Sequence, residues 1–323
     1  MILIIDDDIA VRTSLTLLLK NEGYDVTGAS ETKEAIAFIK NLNETIYRDF
    51  PDTQTIAEEA TDWPGISKPT FAEGLGFGMK WMMGWMHDTL DYFKEDPIHR
   101  SALQDKFSFS MMYYYDENFM LPLSHDEVVH GKSPMIYKMP GDKWQQFANL
   151  RLLYAYMFVH PGGKLLFMGN EFAATKEWDY RTELPWELLQ YELHRTMKDC
   201  VRDLCHLYRN EPALYEKQFS PEGFEWIDLD HRAESVIAFR RKGKNPTDDI
   251  VIILNMTPVV RWDWKLELSG KAGWKEIFNS DDKKYWGTGD TNNPDVPVRL
   301  VDESDEIYEL TVHLPPLGAV VLR

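Results

Sequence analysis

The chain changes period at about residue 215, and that change limits it to two kinds of architecture joined end to end. Before it, helix-spaced stretches alternate with short apolar runs. Glu31 to Phe50 places Ala35, Ile36, Ile39, Leu42 and Ile46 on one side of a helix that Pro51 ends. Thr53 to Ala57 reads as a short strand, and a Trp- and Gly-rich stretch from Trp63 to His87 follows. Asp91 to Arg100 is polar and partly helical, and Phe119 to Leu123 is an apolar run with the look of a buried strand. Trp144 to His160 reads as a long apolar helix closed by Pro161-Gly162-Gly163. Lys164 to Met168 is a further strand, and Leu188 to Arg209 a further helix. Such alternation predicts a parallel sheet wrapped by helices. No Gly-rich phosphate loop follows any strand, so part of a (β/α) barrel fits better than an open dinucleotide-binding sheet.

After about Tyr215 the apolar runs become short and closely spaced. They are Phe224–Ile227, Ser235–Arg240, Ile250–Asn255, Trp274–Phe278 and Leu317–Leu322, with turn-forming residues between them. This predicts a small all-β domain of sandwich type. The expected fold class is therefore α/β plus all-β.

The N-terminus has its own texture. Met1 to Ile5 is apolar and β-branched, Asp6-Asp7-Asp8 follow, Ile9 to Lys20 has helical spacing that Gly23 ends, and Tyr24 to Ala29 reads as a second strand. That is a βαβ opening. The three aspartates read as a solvated acidic loop.

Composition excludes some partners. A net charge of -18 argues against nucleic acid and anionic membranes, both of which require basic patches. Hydrophobic residues make up 44%, as in a globular protein. Aromatics reach 13%, including 11 Trp and 15 Tyr, which fits core packing or stacking on the apolar face of a sugar ring. Cys200 and Cys205 match neither a zinc site nor a disulfide framework. No signal peptide or bilayer-length apolar run is visible, so a reducing, cytoplasmic setting is expected, with no cofactor and no metal.

The chemistry concentrates in two loops. Glu58 follows the Thr55-Ile56-Ala57 strand, and His125-Asp126 follows the Phe119–Leu123 strand. Strand ends in a barrel converge on one face, so these carboxyls are expected near one another. Paired carboxyls of different acidity are what glycoside chemistry uses. Acidic loops are common, and the pair alone is a weak signal.

The wording of these loops narrows the reading. Thr55-Ile56-Ala57-Glu58-Glu59-Ala60-Thr61-Asp62-Trp63-Pro64 and Leu123-Ser124-His125-Asp126-Glu127-Val128-Val129-His130-Gly131-Lys132 resemble two signature regions of the α-amylase superfamily, in the form carried by bacterial glycogen branching enzymes. The runs Gly76–Trp81, Phe167–Phe172 and Glu177-Trp178 agree. The resemblance spans roughly residue 34 to the C-terminus. It implies cleavage of an α-1,4-glucan and transfer of the cut chain to a 6-hydroxyl, through a covalent glycosyl-enzyme. It implies Glu58 as general acid/base, with Asp126 and His125 stabilising the transition state. Glu59 is the less favoured acid, and Glu127 and His130 are expected to hold their loop by hydrogen bonding.

Residues 1–33 resemble instead the first βαβ of a response-regulator receiver domain, through Ile4-Ile5-Asp6-Asp7-Asp8 and Glu22-Gly23-Tyr24-Asp25-Val26. That resemblance implies weak Mg²⁺ binding by the acid pair Asp6 and Asp7, but the phosphoacceptor Asp and the later Thr/Ser and Lys of that family do not follow. The organisation implied is a receiver-like segment 1–33, the C-terminal half of a (β/α)8 TIM-type barrel over 34–214, and an all-β domain over 215–323. The branching-enzyme family also places a nucleophilic Asp in a Gly-Phe-Arg-x-Asp context just before the helix that begins near Glu31. The stretch Tyr24–Ser30 holds no such context. The expectation is an α-glucan-recognising chain that is inactive as it stands. A receiver-derived phosphoacceptor and a non-catalytic α-glucan-binding protein are the alternatives.

Overall fold

The computed structural model describes residues 2–5, 9–29, 32–270 and 273–323. Asp6 and Asp7, the candidate Mg²⁺ ligands, lie outside the described residues. The chain forms two compact units, one of residues 1–81 with 116–118 and one of residues 82–115 with 119–323.

In the first unit, β1 (Ile2–Ile5) and β2 (Val26–Ala29) pair in parallel, with Ile2 opposite Val26, and α1 (Ile9–Asn21) connects them. A βαβ opening is thus present. Next, α2 (Thr32–Asp49) buries Ala35 and Asn43. β3 is only Ile56–Ala57, and it pairs in parallel with β4 (Met79–Trp81), a strand hidden inside the Trp- and Gly-rich stretch. The loop between them is pinned from inside. Asn43 donates its amide to the carbonyl of Leu75 at 2.9 Å. The Glu117 carboxylate accepts from the backbone N–H of Ile66 and Ser67 at 2.8 and 2.7 Å.

In the second unit, α3 (Met83–Lys94) buries Trp85, Met86 and Leu90, so this part of the Met/Trp run packs the core. After α4 (Gln104–Phe109) comes β5 (Phe119–Leu123), parallel to β6 (Gly163–Leu166) with Leu123 opposite Leu166. Between these strands runs α5 (Lys143–Val159), capped by Asp142, whose side chain accepts from the Gln145 N–H. Every residue of α5 from Phe147 to Val159 is buried, which explains why apolar residues occupy all its faces there apart from Asn149 and Arg151. α6 (Glu192–Asn210) is amphipathic and buries Met197, Cys200, Val201 and Leu204.

The β-domain is a two-sheet sandwich, as its turn spacing predicts. One sheet has the order β11-β14-β9-β8-β7, from β7 (Phe224–Asp228), β8 (Val236–Arg241), β9 (Ile250–Asn255), β11 (Glu276–Asn279) and β14 (Gly318–Leu322). The other has the order β10-β13-β12, from β10 (Arg261–Ser269), β12 (Val298–Asp302) and β13 (Ile307–Leu314). The larger sheet is buried on both faces. Ile237, Phe239, Ile252 and Leu254 join the core built around α5. Val236, Ala238, Val251 and Ile253 face Leu266, Leu310 and Val312 of the smaller sheet. Both cysteines are free thiols, Cys200 buried and Cys205 exposed. No helix among the described residues is long and apolar enough to cross a membrane.

Candidate active site

The loop that leaves β5 begins with Ser124 in an extended conformation and then makes one tight 3-10 turn, His125–Glu127. The Val128 N–H closes that turn on the carbonyl of His125 at 2.9 Å. The turn puts His125 and Asp126 side by side, with Nε2 of the ring 3.1 Å from Oδ1 of the carboxylate. Both are partly open to solvent, at 40% and 51% side-chain exposure, as groups that meet a substrate must be.

Two aromatics back the imidazole. Its ring centroid lies 5.9 Å from Phe167 and 6.4 Å from Trp178, and those two rings meet edge to face at 5.1 Å. Backbone bonds hold them there. Phe167 donates to the carbonyl of Leu123 at 3.0 Å, and Trp178 to that of Val128 at 2.8 Å. The segment after β6 thereby fixes one side of the His125 ring.

Glu127 and His130 each lie within ion-pair range of one partner rather than in a loop-holding hydrogen bond. Glu127, with 12% side-chain exposure, sits 4.0 Å from the Lys138 ammonium, whose pKa burial lowers. His130 is exposed, with Nδ1 3.3 Å from Glu177. Glu177 does more than the sequence suggested. Its carboxylate accepts from the N–H of both Gly131 and Ser133 at 3.0 Å, so it cinches the turn after Val129. Those two backbone donors, Ser133 first, hold its carboxyl below the usual range. Gly131 has φ 84°, which the turn requires and which glycine adopts without strain.

In the first unit, the two consecutive acids after β3 separate cleanly. Glu59 turns toward Lys80, with Oε2 2.6 Å from a lysine that is only 6% exposed on β4. Burial pushes against ionisation there, but hydrogen bonds from Lys80 and Thr61 keep the Glu59 carboxyl below its ordinary value. Lys80 also donates to the carbonyl of Thr61 at 2.8 Å, tying down the loop. Glu58 points outward, exposed, and no side-chain partner holds it among the described residues. Sequence reasoning did not single out Lys80 or Glu117. Lys80 stood in the quoted Gly76–Trp81 run, where an amine between Met and Trp was the available signal.

Among the described residues no group of three or more His, Cys, Asp or Glu is arranged to hold a metal ion.

Residues 226–323 match the family described as the alpha amylase C-terminal all-beta domain. Over 299 residues the chain is 51% identical to the 1,4-alpha-glucan branching enzyme GlgB of Aquifex aeolicus strain VF5, a match covering 93% of this chain and 48% of that protein. The chain spans about half the length of the curated relatives it matches. Among solved structures, a debranching enzyme from Nostoc punctiforme aligns with a TM-score of 0.61 at 12% identity, over 88% of this chain and 54% of that one. An alpha-amylase from H. orenii aligns with a TM-score of 0.57 at 16% identity, over 98% of this chain and 64% of that one. These likenesses establish the amylase-type fold with its C-terminal all-β domain.

Proposed function

We propose that this chain carries the acid/base and transition-state-stabilising groups of a 1,4-α-glucan branching site, and that these 323 residues do not by themselves turn glucan over. The observation that carries the reading is the His125–Asp126 dyad at the carboxyl end of β5, braced by Phe167 and Trp178. Polar groups at the carboxyl ends of parallel strands are the position at which barrel enzymes do chemistry. The likeness to the branching enzyme of Aquifex aeolicus agrees with it.

In this reading Glu58 protonates the leaving 4-oxygen and later takes the proton of the incoming 6-hydroxyl. Its exposure and lack of an ion-pair partner suit a group that exchanges protons with substrate, whereas Glu59 is committed to Lys80. Asp126 and His125 bind sugar hydroxyls as positive charge builds on the ring. A retaining transfer also needs a carboxylate nucleophile, and the Gly-Phe-Arg-x-Asp context that carries it in this family does not precede α2. Losing one member of such a cooperating set removes most of the rate. We assign residues 34–214 to half of a (β/α)8 barrel and residues 1–33 to a receiver-like βαβ, in line with the parallel β1–β2 pair. The setting is cytoplasmic.

Incubation with amylose, followed by a count of α-1,6 linkages, tests the reading. The expectation is glucan affinity without new branches. A second reading, a glucan-binding protein with no catalytic ancestry in its loops, would leave affinity indifferent to Asp126→Asn and His125→Ala.

A further inference from the structure

On the β-domain, an irregularity in β10 turns an aromatic side chain outward. Arg261 pairs with Leu314 and Trp264 with Val312, so Trp262 and Asp263 together face the single residue His313. Asp263 takes a positive φ of 53°, a conformation that costs a non-glycine residue energy and that recurs where a side chain is aimed for use. Trp264 packs against the core between the sheets, while Trp262 stands 58% exposed.

The neighbours of Trp262 are polar and fixed. Its ring lies 5.2 Å from that of His313, tilted by 64°. The Asp263 N–H donates to Nδ1 of His313 at 3.1 Å, which makes Nδ1 the acceptor and leaves the proton on Nε2. The Asp263 carboxylate is 76% exposed and lies 3.8 Å from the same ring. The buried Asn293 braces His313 from behind, accepting from its N–H at 2.8 Å and donating to its carbonyl at 3.0 Å. An open indole face, an N–H donor and a carboxylate acceptor thus sit on one rigid patch. That set matches a pyranose, which offers an apolar face for stacking and hydroxyls around its rim.

We propose that Trp262, Asp263 and His313 form an α-glucan-binding site on the β-domain, in which a glucosyl ring stacks on the indole and its hydroxyls bind the carboxylate and the Nε2–H. The choice of glucan as the sugar rests on the function proposed above. The site itself stands on β10 and β13, apart from any loop given a catalytic role.

Affinity electrophoresis of the whole chain in glycogen-containing gels tests it. Wild type and Cys205→Ser, a change at an exposed thiol outside both sites, are expected to be retarded alike. Trp262→Ala weakens apparent affinity by about fivefold or more, while Trp262→Phe retains most of it. Trp262 is exposed, so circular dichroism of the alanine variant should match wild type, and His313→Ala gives a second route to the same loss. Retardation of Trp262→Ala and His313→Ala equal to wild type would overturn the site, as would a wild type that glycogen does not retard. Retardation lost in Asp126→Asn alone would reject this site and leave the catalytic-loop reading standing.

Discussion

Arg241, the last residue of β8, reaches out of the β-domain and donates from Nη1 to the carbonyl of Val159, the last residue of α5, at 2.7 Å. The same guanidinium serves the carbonyls of Leu214 at 3.0 Å and Gly223 at 3.3 Å, and its side chain is completely buried. Burial lowers its pKa to about 10, and among the described residues no carboxylate partner offsets that cost. Two other buried arginines also link the helical layer to the β-domain. Arg100 donates to the carbonyl of Met256 at 3.0 Å, and Arg151 to that of Ser280 at 2.8 Å. Arg241→Met would leave three buried carbonyls without their donor, while relieving the desolvated charge. A net loss of about 2 kcal/mol is expected in urea unfolding at pH 7.

His160 should give the protein a steep acid limb. The ring is buried, Nδ1 lies 2.8 Å from the carbonyl of Pro161, and burial pulls its pKa down to about 3. The folded value thus lies below the unfolded one of about 6.5. The stabilisation by neutral His160 is complete above pH 6.5 and is lost as pH falls from there toward 3, by about 1.4 kcal/mol per pH unit. Unfolding free energies measured between pH 4 and 7 should show that slope in wild type and a flatter one in His160→Gln. Equal slopes would contradict the assignment.

The two thiols should differ sharply in reactivity. Burial pushes the Cys200 thiol up to about 12, and its side chain is closed to solvent. Cys205 lies on the exposed face of α6. A disulfide reagent at pH 8 should modify one thiol per native chain, at Cys205, and two after denaturation. Rapid native modification of Cys200 would show that α6 opens readily.

Glu117 should control the loop between β3 and β4. Phe71 in that loop is 90% exposed yet held in a pinned turn, which should resist chymotrypsin because a protease needs several residues of extended chain. Glu117→Ala removes the acceptor for Ile66 and Ser67, and cleavage after Phe71 should accelerate by about tenfold or more, corresponding to a loss of roughly 1.4 kcal/mol or more of local stability. Unchanged cleavage would mean that Asn43 and the surrounding backbone bonds suffice.

What could be read from sequence follows from how each strand is buried. The five β-domain runs read as strands make up the larger sheet, whose two faces are both covered, so its central strands are nearly continuous apolar sequence. The three strands that were missed, β10, β12 and β13, form the smaller sheet. Its outer face carries Lys265, Arg299 and Glu309, joined by ion pairs at 3.1 Å, and that charge masked the alternation. Strand β4 escaped because three residues between a Gly-rich turn and a helix carry too little period to read. The loop that carries His125 and Asp126 and the loop that carries Glu58 stand out by motif wording, and the roles proposed for those residues rest on that wording. The clamps on those loops, Lys80 and Glu177, do not stand out, because each acts through a partner distant in sequence.

The most direct test of the central claim is a branching assay on the whole chain. Amylose is incubated with the protein at neutral pH, and the product is treated with a debranching enzyme and resolved by chain length. No short chains are expected above the heat-inactivated control, while the same preparation is retarded by glycogen in a native gel. Released short chains that disappear in Glu58→Gln and Asp126→Asn would contradict the claim, because they would show that these 323 residues already supply a nucleophile.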